Sequence, residues 1–124
     1  MNVPNELFYA KTHEWARKEG NKVYVGITDH AQHEITDIVH IELPEKGKKF
    51  TKAQPCAVVE SVKSAFDIYS PVSGTVVEVN EELLSSPEII NQSPYEKGFF
   101  FVLEMEDEKD LKDLMTAEQY KKSL

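Results

Sequence analysis

The sequence predicts a mainly β fold of the sandwich or barrel class. Apolar or alternating runs of strand length recur along the chain, turn residues punctuate them at close spacing, and the helical signals are short. With 124 residues and 40% hydrophobic content, the chain is expected to form one domain over 1–124. That size suffices to bury a core without a metal or disulfide staple.

The elements follow in order. Leu7-Phe8-Tyr9-Ala10 and His13-Glu14-Trp15-Ala16 are short strand candidates, and Glu19-Gly20-Asn21-Lys22 has turn chemistry. Val23, Val25 and Ile27 share one face of the next strand. Thr28 or Asp29 can cap a short helix near 29–35 by accepting a bond from its exposed first amides. The run 38–43 returns to strand, with Val39, Ile41 and Leu43 on one face, and Pro44-Glu45-Lys46-Gly47 ends it. A basic segment, 48–52, leads to Pro55. Two runs, Cys56-Ala57-Val58-Val59-Glu60 and Phe66-Asp67-Ile68-Tyr69-Ser70, then form a hairpin bounded by Pro55 and Pro71, with Lys63 at its turn. The run 75–80 is a strand with Val77 and Val79 on one face, and 81–94 reads as a long loop holding a helical turn or two. Phe99-Phe100-Phe101-Val102-Leu103 is the most apolar run and is expected in the core. C-terminal helices are expected near 107–122, where Leu111, Leu114 and Met115 have i, i+3, i+4 spacing and Thr116 can cap a second helix. A faint repeat pairs Ile41-x-x-Pro44-x-x-Gly47 with Ile68-x-x-Pro71-x-x-Gly74, the mark of two similar halves or of chance.

The net charge of −8 argues against non-specific nucleic-acid binding and against an anionic membrane surface as a partner. Nine acidic residues between 75 and 108 face only Lys97, a field that either steers basic partners or keeps the protein soluble. No run approaches the ~18 apolar residues of a membrane span, and the first residues lack signal-peptide character. A lone cysteine, Cys56, forms no internal disulfide and reads as a buried thiol in a reducing compartment. The expected location is the cytoplasm, with a processed mitochondrial form as the variant.

Catalytic constellations are absent from the pattern. Ser61 with His13 or His40 lacks the Gly-x-Ser-x-Gly elbow of serine hydrolases. His30 and His33, with Glu34 adjacent, share a helix face, but a dedicated metal site needs more converging ligands, so no metal is expected. Phosphate-loop and dinucleotide fingerprints are missing. Lys63 stands out as a flexible amine at an exposed turn, sterically free for another protein to modify.

The residues around it carry a resemblance. Val59-Glu60-Ser61-Val62-Lys63-Ser64 is accompanied by Thr12-His13-Glu14-Trp15, Val25-Gly26-Ile27-Thr28-Asp29-His30-Ala31-Gln32, Asp37-Ile38-Val39, Glu42-Leu43-Pro44, Ser70-Pro71-Val72-Ser73-Gly74, Val77-Glu78-Val79-Asn80, Ser86-Pro87 and Asn91-x-x-Pro94-Tyr95. Taken in chain order, from Tyr9 to about Tyr120, these segments make the chain resemble the H proteins of the glycine cleavage system. The resemblance implies a lipoyl-domain-like barrel-sandwich hybrid of two antiparallel sheets, with a lipoyl-binding core at about 22–104 and a C-terminal helical segment at about 107–124.

It further implies that Lys63 carries lipoic acid in amide linkage and that the chain is a carrier, not an enzyme. The family's cycle takes an aminomethyl group from a glycine decarboxylase (P protein) to an aminomethyltransferase (T protein). A dihydrolipoyl dehydrogenase (L protein) reoxidises the carrier, and a lipoyl transferase or ligase attaches the cofactor. Glu14 and Asp67 stand at family positions for contacting the arm; their bland alternative is a pair of surface carboxylates. Glu34 stands where some relatives have histidine, and Phe99 where relatives often have tryptophan. A monomer is expected. The alternative function is a lipoyl relay that donates the group toward other lipoate-dependent enzymes, whereas a biotin carrier would place methionines where Val62 and Ser64 flank Lys63.

Overall fold

Nine strands and five short helices follow one another in the computed structural model, which describes residues 1–124. They are β1 (Phe8–Tyr9), β2 (Glu14–Glu19), β3 (Lys22–Ile27), α1 (Asp29–Ile35), β4 (Ile38–Glu42), β5 (Lys49–Phe50) and β6 (Pro55–Ser61). Then come β7 (Ala65–Tyr69), β8 (Gly74–Val79), α2 (Glu82–Ser85), α3 (Ile89–Gln92), β9 (Phe101–Met105), α4 (Lys109–Lys112) and α5 (Ala117–Ser123). One sheet has six strands in the order β1-β2-β3-β9-β8-β5; the other has three, β4-β6-β7. Every pairing is antiparallel, as short connections permit. The architecture is therefore mainly β, two antiparallel sheets around a shared core, as the sequence predicts.

Alternation explains which side chains meet between the sheets. Val23, Val25 and Ile27 of β3 are buried, and they join Ile41, Val59 and Ile68 from the smaller sheet and Phe101 and Leu103 from β9 in one cluster. Each such side chain, fully removed from water, contributes about 1.5–3 kcal/mol before the entropy of ordering is counted. A second cluster is built from the chain's two ends: Val3, Leu7, Tyr9 and Trp15 pack with Tyr95, Ala117 and Tyr120. Met115 bridges to Tyr9 through two backbone bonds, so the C-terminal segment extends the β1 edge before α5 begins.

Two strand faces differ from the alternation expected of them. On β4 the buried residues are Ile38 and Ile41, while Val39 is 52% exposed, because the register to β6 shifts between Ile38 and His40. On β8 the core residue is Val76 and not Val77, for the same reason: the ladder to β9 is irregular between Val76 and Glu78. A bulge adds a residue and turns the following side chains over, which a strict period of two cannot anticipate. The 99–103 run also starts its strand later than expected, at Phe101; Phe99 lies outside the strand and packs edge-on against Tyr24, with centroids 5.3 Å apart. The C-terminal segment forms the two helices expected, but Leu114 and Met115 lie beyond the first of them. α4 stops at Lys112, and Thr116 starts α5 with a reciprocal capping box to Gln119.

The faint repeat has a structural counterpart. Ile41 ends the buried face of β4 and Ile68 that of β7, and from each the chain crosses through a proline turn into the larger sheet, where β5 and β8 pair. The two glycines of the repeat serve different needs. Gly47 has φ 89°, a conformation that favours glycine, whereas a Cβ on Gly74 would run into the carbonyl of Glu104.

Candidate functional site

β6 and β7 form the hairpin that presents Lys63. Their ladder runs from Pro55 opposite Tyr69 to Glu60 opposite Ala65, and Val62, Lys63 and Ser64 make the exposed turn. The turn is held from within. The Ser61 amide donates to the Ser64 carbonyl at 2.8 Å, and the Ser61 hydroxyl oxygen accepts from the Ser64 amide at 3.2 Å and the Lys63 amide at 3.4 Å. Serine at this position thus satisfies turn amides that would otherwise face only water, and Ser61 is committed to structure rather than to nucleophilic chemistry. Lys63 takes part in none of the ion pairs of the molecule. A fixed backbone with a free amine fits a covalently attached acyl arm: the mount is ordered while the stem keeps its rotamers.

From the tip, the outer face of β7 presents Ala65, Asp67 and Tyr69, since Ile68 between them is buried. Four residue steps at about 3.3 Å each put Tyr69 roughly 13 Å from Ala65. Tyr69 lines a cleft of about 440 Å³ together with Thr12, Glu14, Lys52, Asp113 and Met115. Lys52 and Asp113 pair at 2.5 Å. Asp67 is exposed and lines a separate groove of about 390 Å³ with Glu42, Pro44, Cys56 and Val58. Glu14 and Asp67 therefore do not share a cavity.

Glu14 is fully buried, not a surface carboxylate. It reaches that position because His13, just before β2, adopts φ 74° and turns the chain, so that Thr12 and Glu14 meet. The Thr12 hydroxyl donates to Oε1, and the Tyr69 amide donates to Oε2 at 2.9 Å. Burial pushes the carboxyl up to about 7, although both hydrogen bonds favour its charged form. Glu14 consequently exchanges a proton near neutrality, and in the low-dielectric wall of the cleft its charge acts strongly on any cation that enters.

Cys56 is a buried free cysteine whose thiol donates to the Ile68 carbonyl at 3.2 Å. Burial, with the Glu14 charge, pushes it up to about 12, so no thiolate is available for chemistry. Glu34 lies on α1 and faces His30 at 3.8 Å.

Three contributors are not legible in the sequence. Thr12 and Tyr69 fix the Glu14 carboxylate, and Tyr120 donates or accepts at 2.7 Å with both His13 Nδ1 and Thr28 Oγ1, holding the turn that aims Glu14. The Tyr69 and Tyr120 contacts join residues distant in sequence, and the local Thr12–Glu14 contact spans the positive φ of His13, so only that φ at a non-glycine residue would have flagged the place.

Residues 7–124 match the family model described as Glycine cleavage H-protein. The chain is 64% identical over 121 residues to the glycine cleavage system H protein of Endomicrobium trichonymphae, covering 98% of each. It is 54% identical over 120 residues to that of Geobacillus thermodenitrificans, covering 97% of this chain and 94% of the relative. The crystal structure of a glycine cleavage system H protein from Mycobacterium marinum superposes with a TM-score of 0.89 at 32% identity, covering 98% of this chain and all of the other.

Proposed function

The chain belongs to the glycine cleavage H-protein family, and on that premise we propose that it is the lipoyl carrier of a glycine cleavage system, with the cofactor attached to Lys63. The observation that carries the reading is the free amine of Lys63 on an internally braced hairpin turn. A lipoyl group in amide linkage would supply a cyclic disulfide able to accept an aminomethyl unit and to be reoxidised afterwards. The chain's own residues contribute the rest, and none of it is catalysis.

The braced turn fixes the origin of the arm, which raises the effective concentration of its end at any enzyme that docks nearby. The outer face of β7 leads from the tip past Asp67 to the cleft floored by Glu14 and Tyr69. A protonated amine entering that cleft would meet a buried carboxylate already oriented by Thr12 and Tyr69, a charge-assisted contact in a site with little water. Asp67, exposed on the way, offers a weaker, solvent-screened contact. The partners in this reading are glycine decarboxylase, aminomethyltransferase and dihydrolipoyl dehydrogenase, with a lipoyl transferase or ligase for attachment. The chain acts in the cytoplasm.

Reconstitution with those enzymes tests the reading. Lipoylated protein should support glycine-dependent release of carbon dioxide, and a folded Lys63→Arg variant should support none. Undiminished release with Lys63→Arg would refute the carrier role.

A further inference from the structure

The outer face of the three-stranded sheet brings together three metal-ligating side chains that the carrier function does not use. His40 and Glu42 are two residues apart on β4 and both exposed, with Ile41 between them in the core. Glu60, on β6, is paired directly with His40 in the ladder. One ligand atom from each residue lies within 4.8 Å of the other two. None of the three takes part in an ion pair, so two carboxylates converge beside an imidazole with no lysine or arginine to balance them. Such an arrangement repels itself when both carboxylates are charged, and a divalent cation between them would relieve that repulsion.

We propose that His40, Glu42 and Glu60 form a binding site for a divalent transition-metal cation of the zinc class. One imidazole nitrogen and two carboxylate oxygens are borderline-to-hard donors, a set that suits Zn²⁺ or Co²⁺ over Ca²⁺, which prefers six to eight oxygens. The three donors come from neighbouring strands of one sheet, whose backbone spacing of about 4.8 Å is fixed by the ladder. Small rotamer changes of exposed side chains bring the donors to bonding distance at modest entropic cost. Three protein ligands leave a coordination position open to solvent, as in metal sites that exchange a fourth ligand. The site lies on the stem of the hairpin, since Glu60 precedes Lys63 by three residues. A bound cation would fasten β4 to β6 and stiffen the mount of the turn.

The test uses the full chain with Lys63 unmodified, so that no cofactor thiols compete, and titrates it with Zn²⁺ by calorimetry and with Co²⁺ by visible absorption. One equivalent should bind, Co²⁺ should show the intense bands of low coordination number, and amide exchange should slow in β4 and β6. His40→Ala and Glu60→Gln should each weaken binding at least about tenfold, whereas His33→Ala, on the exposed face of α1, should leave it unchanged. All three positions are at least partly exposed, and Glu42→Gln provides an independent variant that keeps side-chain size. Absence of saturable binding overturns the proposal, as does binding that survives His40→Ala and Glu60→Gln together or that disappears with His33→Ala.

Discussion

Glu14 behaves unlike a surface carboxylate because it is fully buried in the wall of the cleft. Its carboxyl lies near 7, against an ordinary value of 4.5, with burial as the first cause and the bonds from Thr12 and Tyr69 opposing it. The folded state therefore holds a proton that the unfolded chain has already released between those two values. Stability contributed by this group is complete below about pH 4.5 and declines as pH rises toward 7. At about 1.4 kcal/mol per unit, the decline is on the order of 3 kcal/mol. Denaturant unfolding of the wild type and Glu14→Gln at a series of pH values isolates it, since all other groups cancel in the difference. The wild type should lose stability relative to the variant from pH 5 to pH 7; a constant difference would mean that the buried group does not titrate there. Cys56 gives the opposite expectation. With its thiol pushed up to about 12, Cys56 should react with alkylating reagents at neutral pH only after unfolding.

At the scale of elements, caps and turns carry most of what the sequence discloses. Thr28 caps α1 through the Ala31 amide, and Thr116 caps α5 through the Gln119 amide with a bond returned by the Gln119 side chain. Thr116→Ala should cost about 1 kcal/mol, measured as a lower denaturant midpoint with unchanged slope. Gly26→Ala should cost more. Its Cβ would sit 2.6 Å from the ring of Trp15, which is fully buried and donates to the Pro94 carbonyl, so the ring cannot yield. Overpacking of that kind costs roughly 1–3 kcal/mol. These local signals explain why the hairpin, both capped helices and the Lys63 turn were legible without coordinates. The buried faces of β4 and β8 were not, because bulges at Val39 and Val77 invert the alternation and nothing local announces a bulge. The cluster of His40, Glu42 and Glu60 was hidden for a related reason, that it exists only once the register of β4 on β6 is known.

For the whole molecule, the two chain ends and the candidate site form one connected unit. Tyr120 is fully buried, stacks on Tyr9 with centroids 4.7 Å apart, and joins α5 to His13 and to Thr28 at the start of α1. Tyr120→Phe should lower stability by about 1–2 kcal/mol through lost hydrogen bonds, and Tyr120→Ala by about 3–5 kcal/mol through a cavity as well. Both variants should unfold in one transition that includes the hairpin; an early separate melting of residues 107–124 would show that the C-terminal segment is an appendage. The nine acidic residues between 75 and 108 are all exposed, so the field they create is available to arriving partners. All of these features gain their meaning from the arm that Lys63 is proposed to carry. Intact and peptide-level mass spectrometry of the protein, produced with lipoate and a competent ligase, tests that claim most directly. The account predicts one lipoyl adduct, located on Lys63 and absent from Lys63→Arg; an adduct on another lysine, or none at all, would contradict it.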